Sequence, residues 1–135
     1  MLGASVNYLA VFLAAVAAWA FSAVWYYCFS RRWADALGIT REQLMPDGRQ
    51  PVGTMILSFF AQLAMAAILA HFIAITGPAS VLTGLLTAAA CWFGFVLTTI
   101  VVNDRYTRSS LALIAVASWH WLGVLLIMGA VIGAF

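Results

Sequence analysis

The distribution of charge is the feature that most constrains this chain. All six arginines and all four acidic residues lie within residues 31–50 and 103–108. The runs 1–30, 51–102 and 109–135 contain no charged side chain. One bilayer crossing needs about 20 apolar residues, so the outer runs suit one helix each and the middle run suits two. We therefore predict an all-α integral membrane protein, a bundle of four transmembrane helices.

The middle run contains one candidate break, Thr76-Gly77-Pro78-Ala79-Ser80. Glycine suits the C-terminal cap of a helix, and proline suits the first turn of the next helix. The predicted spans are 5–29, 51–76, 79–102 and 109–134, within a single domain of residues 1–135. Because the connection is short, spans two and three should be antiparallel neighbours.

The arginines also predict an orientation. Four of them lie between spans one and two, and two lie between spans three and four. Arginine and lysine are enriched in cytoplasmic loops. We therefore expect loops 31–50 and 103–108 to be cytoplasmic and both termini to be outside, in a bacterial inner membrane. No basic residue precedes the first apolar run, so we expect no cleaved signal peptide.

Composition narrows the possible partners. The chain is 66% hydrophobic and 7% charged, whereas a soluble domain carries about a quarter charged residues. Its surface is therefore expected to face mostly membrane lipid. The net charge of +2 is too small for the basic face that nucleic-acid binding requires, so we expect no nucleic-acid partner. A second copy of the chain or another membrane protein is the expected protein partner.

The end of span one and the loop 31–50 carry local signals. An aromatic belt at the lipid–water boundary is predicted from Trp25, Tyr26, Tyr27 and Trp33. A helix can continue to a stop at Gly38, and Thr40 with Gln43 fits a capping box that opens a second short helix. A turn should follow at residues 46–48. A solvated connector and a binding or regulatory segment are both possible roles for this loop.

Several uncharged polar residues are predicted to meet near the middle of the membrane. Gln62, Cys91 and His120 each lie 11 residues from the arginine-side end of their span, a depth of about 16 Å. On span three, one face is predicted to hold Thr83, Thr87, Cys91, Gly94 and Thr98. Polar faces of neighbouring helices turn towards one another in lipid. We predict a buried cluster of Gln62, Thr87, Cys91 and His120, acting as interhelical hydrogen bonds, as a polar pocket or path, or as a redox or metal site.

Four further residues are candidates for an entrance or interface: Asn7, His71, Asp104 and Arg105. Asn7 could instead cap the first helix, and His71 could be a hydrogen-bonded side chain near the outer boundary. No span contains a carboxylate, and no Cys/His group has metal-ligand spacing. We therefore expect no catalytic residue, no metal and no cofactor.

Small residues predict close helix packing at two places. In span one a stripe is formed by Ala10, Ala14, Ala18 and Ser22. In span four, Gly129 and Gly133 form a GxxxG pattern, which lets another helix approach closely. Its partner could be a helix of the same chain or of a second copy.

Short motifs are spread along most of the chain: Asn7-Tyr8-Leu9-Ala10-Val11, Trp25-Tyr26 with Trp33, Gly94-Phe95-Val96, Trp119-His120-Trp121 and Met128-Gly129-Ala130. In these motifs the chain resembles the bacterial membrane proteins grouped as domain of unknown function 1761. The resemblance implies a small multi-pass membrane protein and no assigned activity. Our leading hypothesis is a non-enzymatic inner-membrane protein, oligomeric or accessory to a larger complex. The alternative is a small oligomeric transporter or channel with a polar midplane path past Gln62 and His120.

Overall fold

The computed structural model describes residues 5–135, and residues 1–4 of the predicted domain lie outside this range. Four of its helices are long and apolar enough to cross a membrane: α1 (Tyr8–Cys28), α4 (Val52–Thr76), the third span (Val81–Tyr106) and α7 (Leu111–Ala134). The third span consists of α5 (Val81–Cys91), a π-helical segment (Trp92–Leu97) and α6 (Thr98–Tyr106). No strand occurs in residues 5–135. The predicted all-α four-helix architecture is confirmed.

The start of the third span differs from the prediction. Ser80 is its N-cap, and the Ser80 hydroxyl accepts a hydrogen bond from the backbone N–H of Thr83 (3.0 Å). Pro78 lies before this cap and not in the first turn of the helix, so that part of the prediction was wrong. Serine is favoured at the N-cap position because its side chain accepts a hydrogen bond from a backbone N–H that the helix leaves unpaired.

The third span also ends at Tyr106, four residues beyond the predicted end at position 102. An apolar run marks where lipid ends, whereas a helix can continue into water. Asn103, Asp104 and Arg105 accordingly lie on the last turns of the helix.

The segment between α1 and α4 has the predicted local order. After a turn at Phe29, α2 (Ser30–Leu37) ends at Gly38, whose φ of 71° lies in the left-handed region that favours glycine. Next comes α3 (Arg41–Leu44), which opens with the complete capping box of Thr40 and Gln43. A 3₁₀ turn (Pro46–Gly48) then leads to α4.

The small-residue stripe of α1 forms part of the core. Ala10, Ala14 and Ala18 are fully buried, and Ser22 is 4% exposed. Because these side chains are short, α4 and α7 both pack closely against α1. The prediction of a close-packed face is confirmed.

The GxxxG pattern of α7 is occupied within the chain. A Cβ on Gly129 would collide with the backbone of Gly84 in α5, and a Cβ on Gly133 would collide with the backbone of Ser80. Ala88 continues the same contact on the α5 side. The partner that the sequence left open is therefore α5 of the same chain.

The π-helical segment changes which residues share a face of the third span. Thr83, Thr87 and Cys91 are half-buried, but Gly94 and Thr98 are exposed. The prediction of one continuous face was wrong because a π-helical turn contains an extra residue, so regular helical spacing no longer returns to the same side. The segment is joined to α7 by Trp92, whose indole N–H donates to the carbonyl of Ser118 (2.9 Å).

Candidate functional site

Ser22 is the centre of a buried hydrogen-bond network that joins three membrane helices. The amide Nε2 of Gln62 on α4 donates to Ser22 Oγ (2.9 Å) and to Ser58 Oγ (3.2 Å). The Nε2 atom of His120 on α7 lies 2.9 Å from Ser22 Oγ. Gln62 is fully buried and His120 is 1% exposed. Side chains of α1, α4 and α7 are therefore hydrogen-bonded to one another inside the bundle. The other amide atom of Gln62, Oε1, is buried with no hydrogen-bond partner in residues 5–135.

The network continues from His120 to Tyr26, whose hydroxyl lies 3.4 Å from His120 Nδ1. A neutral imidazole has one donor and one acceptor nitrogen. In one arrangement Ser22 donates to His120 and His120 donates to Tyr26; in the other, Tyr26 donates to His120 and His120 donates to Ser22. The chain Ser58–Gln62–Ser22–His120–Tyr26 can therefore adopt either direction at the imidazole without moving a heavy atom.

Aromatic rings enclose the imidazole of His120. Its ring centroid lies 4.5 Å from that of Tyr26 and 4.8 Å from that of Trp121. Phe21 and Trp25 complete the enclosure at 6.3 Å each, and the Phe21 ring is nearly parallel to the imidazole. These apolar faces exclude water from the central part of the network and fix the orientation of the imidazole.

The predicted cluster is brought together only in part. Gln62 and His120 are linked through Ser22, but the hydroxyl of Thr87 is buried with no hydrogen-bond partner in residues 5–135. Cys91 is half-buried and lines an apolar groove of about 330 Å³ between α4 and the third span. This separation arises because α5 packs mainly on α7, through Gly84 and Gly129, and only slightly on α4.

The other candidate residues have local contacts. Asn7 caps α1 by accepting hydrogen bonds from the N–H groups of residues 9 and 10 (3.1 and 3.2 Å). His71 Nδ1 donates to the carbonyl of Ala67 one turn earlier (2.8 Å). Asp104 is half-buried and Arg105 is exposed at the end of α6. In residues 5–135, no three His, Cys, Asp or Glu side chains are grouped as metal ligands would be.

A cavity of about 470 Å³ lies beside the network, between α1, α4 and the segment that connects them. Ser22 and Ser58 lie on its wall, so the cavity reaches the hydrogen-bond chain. Four aromatic side chains also line it: Trp19, Tyr26, Trp33 and Trp121. A concave apolar site with a few convergent polar groups is the usual form of a small-molecule site.

Two members of the network were not recognised as polar candidates from the sequence. Ser22 was interpreted as a small packing residue, and Tyr26 was assigned to the aromatic belt. In the structure the Tyr26 ring turns inward and packs against Trp33 in a tilted arrangement (4.5 Å between centroids), whereas Tyr27 remains exposed. The available signal was their spacing, since residues four apart share a helix face and the face of Ser22 was already predicted to be buried.

The architecture defines the class of this protein as a helical bundle with four apolar helices suited to spanning a membrane. A family model described as "Protein of unknown function (DUF1761)" matches residues 9–133, and the chain belongs to this family. No curated protein and no solved structure is significantly similar to the chain.

Proposed function

We propose that the chain is a non-enzymatic protein of the bacterial inner membrane that functions within a larger assembly, either with further copies of itself or as an accessory subunit. The supporting observation is the position of the third span. In its most apolar stretch of 18 residues, only 6% of the residues are buried, compared with 28–33% in the corresponding stretches of the other three membrane helices. Most of the surface of this helix is therefore free to pack against another helix.

The composition of this side favours a protein neighbour over lipid alone. Ala90, Gly94 and Thr98 are exposed, and a Cβ on Gly94 would have no atom within 4 Å. Glycine inside a helix costs roughly 0.5–1 kcal/mol relative to alanine. A position that faces lipid gains nothing from lacking a side chain, whereas at a helix–helix contact the missing side chain lets the second helix approach closely. The π-helical segment that contains Gly94 adds support, because such segments are frequent at functional sites.

The orientation in this proposal follows the arginines. Loops 31–50 and 103–108 are cytoplasmic, and both termini are outside. In this orientation α1 runs inward and the cavity beside Ser22 lies in the cytoplasmic half of the membrane, since its lining includes Leu44, Met45 and Gln50 of the arginine-rich segment.

Site-specific photo-crosslinking tests the proposed assembly. Benzoylphenylalanine replaces Phe93 on the third span, or Phe60 on α4 as the matched control; their exposed fractions are 66% and 62%. We expect protein adducts from position 93 in native membranes and only lipid adducts from position 60. A dimer-sized adduct indicates a second copy, and a different mass indicates an accessory role. Lipid adducts alone at both positions contradict the proposal.

A transporter is the second candidate, favoured by the hydrogen-bond chain that crosses the centre of the bundle. Outward from Gln62 and His120, however, the buried core is apolar and includes Leu69 and Met128. A path must therefore open between these side chains. Ser58→Cys and Leu69→Cys, each in a cysteine-free background, test this with a membrane-impermeant thiol reagent. Labelling of both supports transport, and labelling at position 58 alone supports a closed, one-sided cavity.

A further inference from the structure

We infer that the cavity between α1 and α4 binds the neutral, planar head group of a membrane-soluble quinone. This inference goes beyond the proposed assembly, which depends on the third span and not on this cavity. It depends on the shape and walls of the cavity, on two hydrogen-bond donors in its lining, and on the direction in which it opens.

The walls suit a flat ring without charge. Trp19, Trp33 and Trp121, together with Tyr26, supply aromatic surface on several sides of the space. Aromatic side chains bind planar rings by stacking and edge contacts. None of the lining residues, all within 5–135, carries a charged side chain. Arg41, on the neighbouring short helix, donates to Ser30 Oγ (2.7 Å) and lies over the Tyr27 ring. An ionic ligand would therefore have no counter-charge.

Two polar groups of the lining have a proton free to donate. At the arginine-side end, the side-chain Nε2 of Gln50 is buried and has no hydrogen-bond partner in the described chain. Deeper in the cavity wall, the hydroxyl oxygen of Ser58 accepts a hydrogen bond from Gln62, so its own proton can be donated. Gln50 precedes α4, and Ser58 lies about two turns into this helix. A ring between these two donors meets one on each of two sides and pairs with both when it carries two opposed acceptor oxygens, as a para-quinone does.

The cavity opens sideways. Its exposed lining residues include Thr54, Leu57 and Ala61, which follow one face of α4, and Leu57 is 70% exposed. In a membrane this face meets lipid, so the ligand enters from the bilayer with its apolar tail left between α4 and the lipid. A lipid-soluble ring with acceptor oxygens satisfies all of these conditions.

Fluorescence quenching tests the inference on the full chain in nanodiscs of phosphatidylethanolamine and phosphatidylglycerol. The probe is a decyl-tailed benzoquinone, which quenches nearby tryptophans. Three variants are compared with the unaltered protein: Ala61→Phe, which narrows the opening; Ala20→Phe, the same change at an exposed α1 position outside the lining; and Gln50→Leu, which removes the free amide. Unchanged melting temperatures establish that each variant is folded.

We expect saturable quenching in the unaltered protein and in Ala20→Phe, loss of the saturable component in Ala61→Phe, and about a tenfold higher Kd in Gln50→Leu, the effect of one hydrogen bond. Linear, non-saturable quenching in all proteins would show mere partition into lipid and overturn the inference. Displacement of the probe by an equal concentration of decanol would also overturn the inference, because the cavity would then bind an alkyl chain and not a ring. An unchanged Kd in Gln50→Leu would overturn the assignment of the head group.

Discussion

Replacing Ser22 with alanine is the most direct perturbation of the buried network. The change removes one oxygen that is hydrogen-bonded to two side chains, Gln62 on α4 and His120 on α7. Gln62 keeps its bond to Ser58, but His120 Nε2 loses its partner in a position where water has no access. Alanine fits the space, since the rest of the α1 stripe is alanine at positions 10, 14 and 18. The effect is therefore one of hydrogen bonding and not of volume.

The magnitude follows from the two bonds. Hydrogen bonds between helices in a membrane contribute on average about 0.6 kcal/mol and at most about 1.7 kcal/mol each. Ser22→Ala should therefore lower the free energy of unfolding by about 1–3 kcal/mol. That range corresponds to roughly a 5- to 150-fold change in the ratio of folded to unfolded protein.

The chain offers a matched control in Ser118→Ala. Ser118 is buried to the same degree as Ser22, at 6% and 4% exposed, but its hydroxyl has no hydrogen-bond partner in the described residues. We expect Ser118→Ala to be neutral or slightly stabilising, because it removes an unsatisfied buried group. Both variants can be compared by denaturant titration in mixed micelles or by steric trapping, each read by tryptophan fluorescence.

Equal destabilisation by the two alanine variants would refute the assignment of the loss to the network. A double-mutant cycle adds a second criterion. Combined with His120→Leu, Ser22→Ala should show a coupling energy of about 0.5 kcal/mol or more, because the two residues share one bond. Strict additivity would mean that the 2.9 Å contact contributes nothing.

Three further predictions follow from other parts of the fold. Gly129→Ala should destabilise the protein by more than about 2 kcal/mol in the same titration, because the new Cβ collides with the backbone of Gly84. The control Gly53→Ala, in open space on α4, should stabilise the protein by roughly 0.5 kcal/mol, and equal effects of the two variants would contradict the close crossing of α5 and α7. Trp92→Phe, which loses the bond to Ser118, should raise amide hydrogen exchange in residues 98–106 while α1 stays protected, and unchanged exchange there would contradict a tethering role. Alkaline phosphatase fused after residue 135 should be active and green fluorescent protein at the same place dark, since the proposed orientation puts this end outside; the opposite pattern would reverse the assignment.

Much of the architecture was predictable because it depends on simple physical constraints. Arginine and carboxylate side chains are excluded from lipid, so their confinement to two stretches predicted four helices. Capping is equally local. Thr40 and Gln43 satisfy backbone groups only three residues away, and that contact was visible in the sequence.

The composition of the site was less predictable because it depends on how helices rotate against one another. Depth along each helix correctly suggested that Gln62 and His120 are close, but depth does not define which way a side chain faces. The contact of α5 with α7 through Gly84 and the π-helical segment leave Thr87 and Cys91 away from the network. The role of Ser22 was not predicted because serine and alanine both occur at close helix contacts for their small size, so the sequence alone does not distinguish a packing serine from a hydrogen-bonding one.

The central position of α7 has a consequence for biogenesis. This helix contacts α1, α4 and the third span, yet it follows all of them in chain order. When the first three spans have entered the bilayer, Ser22 and Gln62 can already form their hydrogen bond. At that stage α5 has no α7 to pack against, and Ser22 has no hydrogen bond to His120. Completion of the bundle is thus coupled to release of the last span from the insertion machinery, and a chain stalled before Leu111 would present an unpaired third helix to membrane proteases.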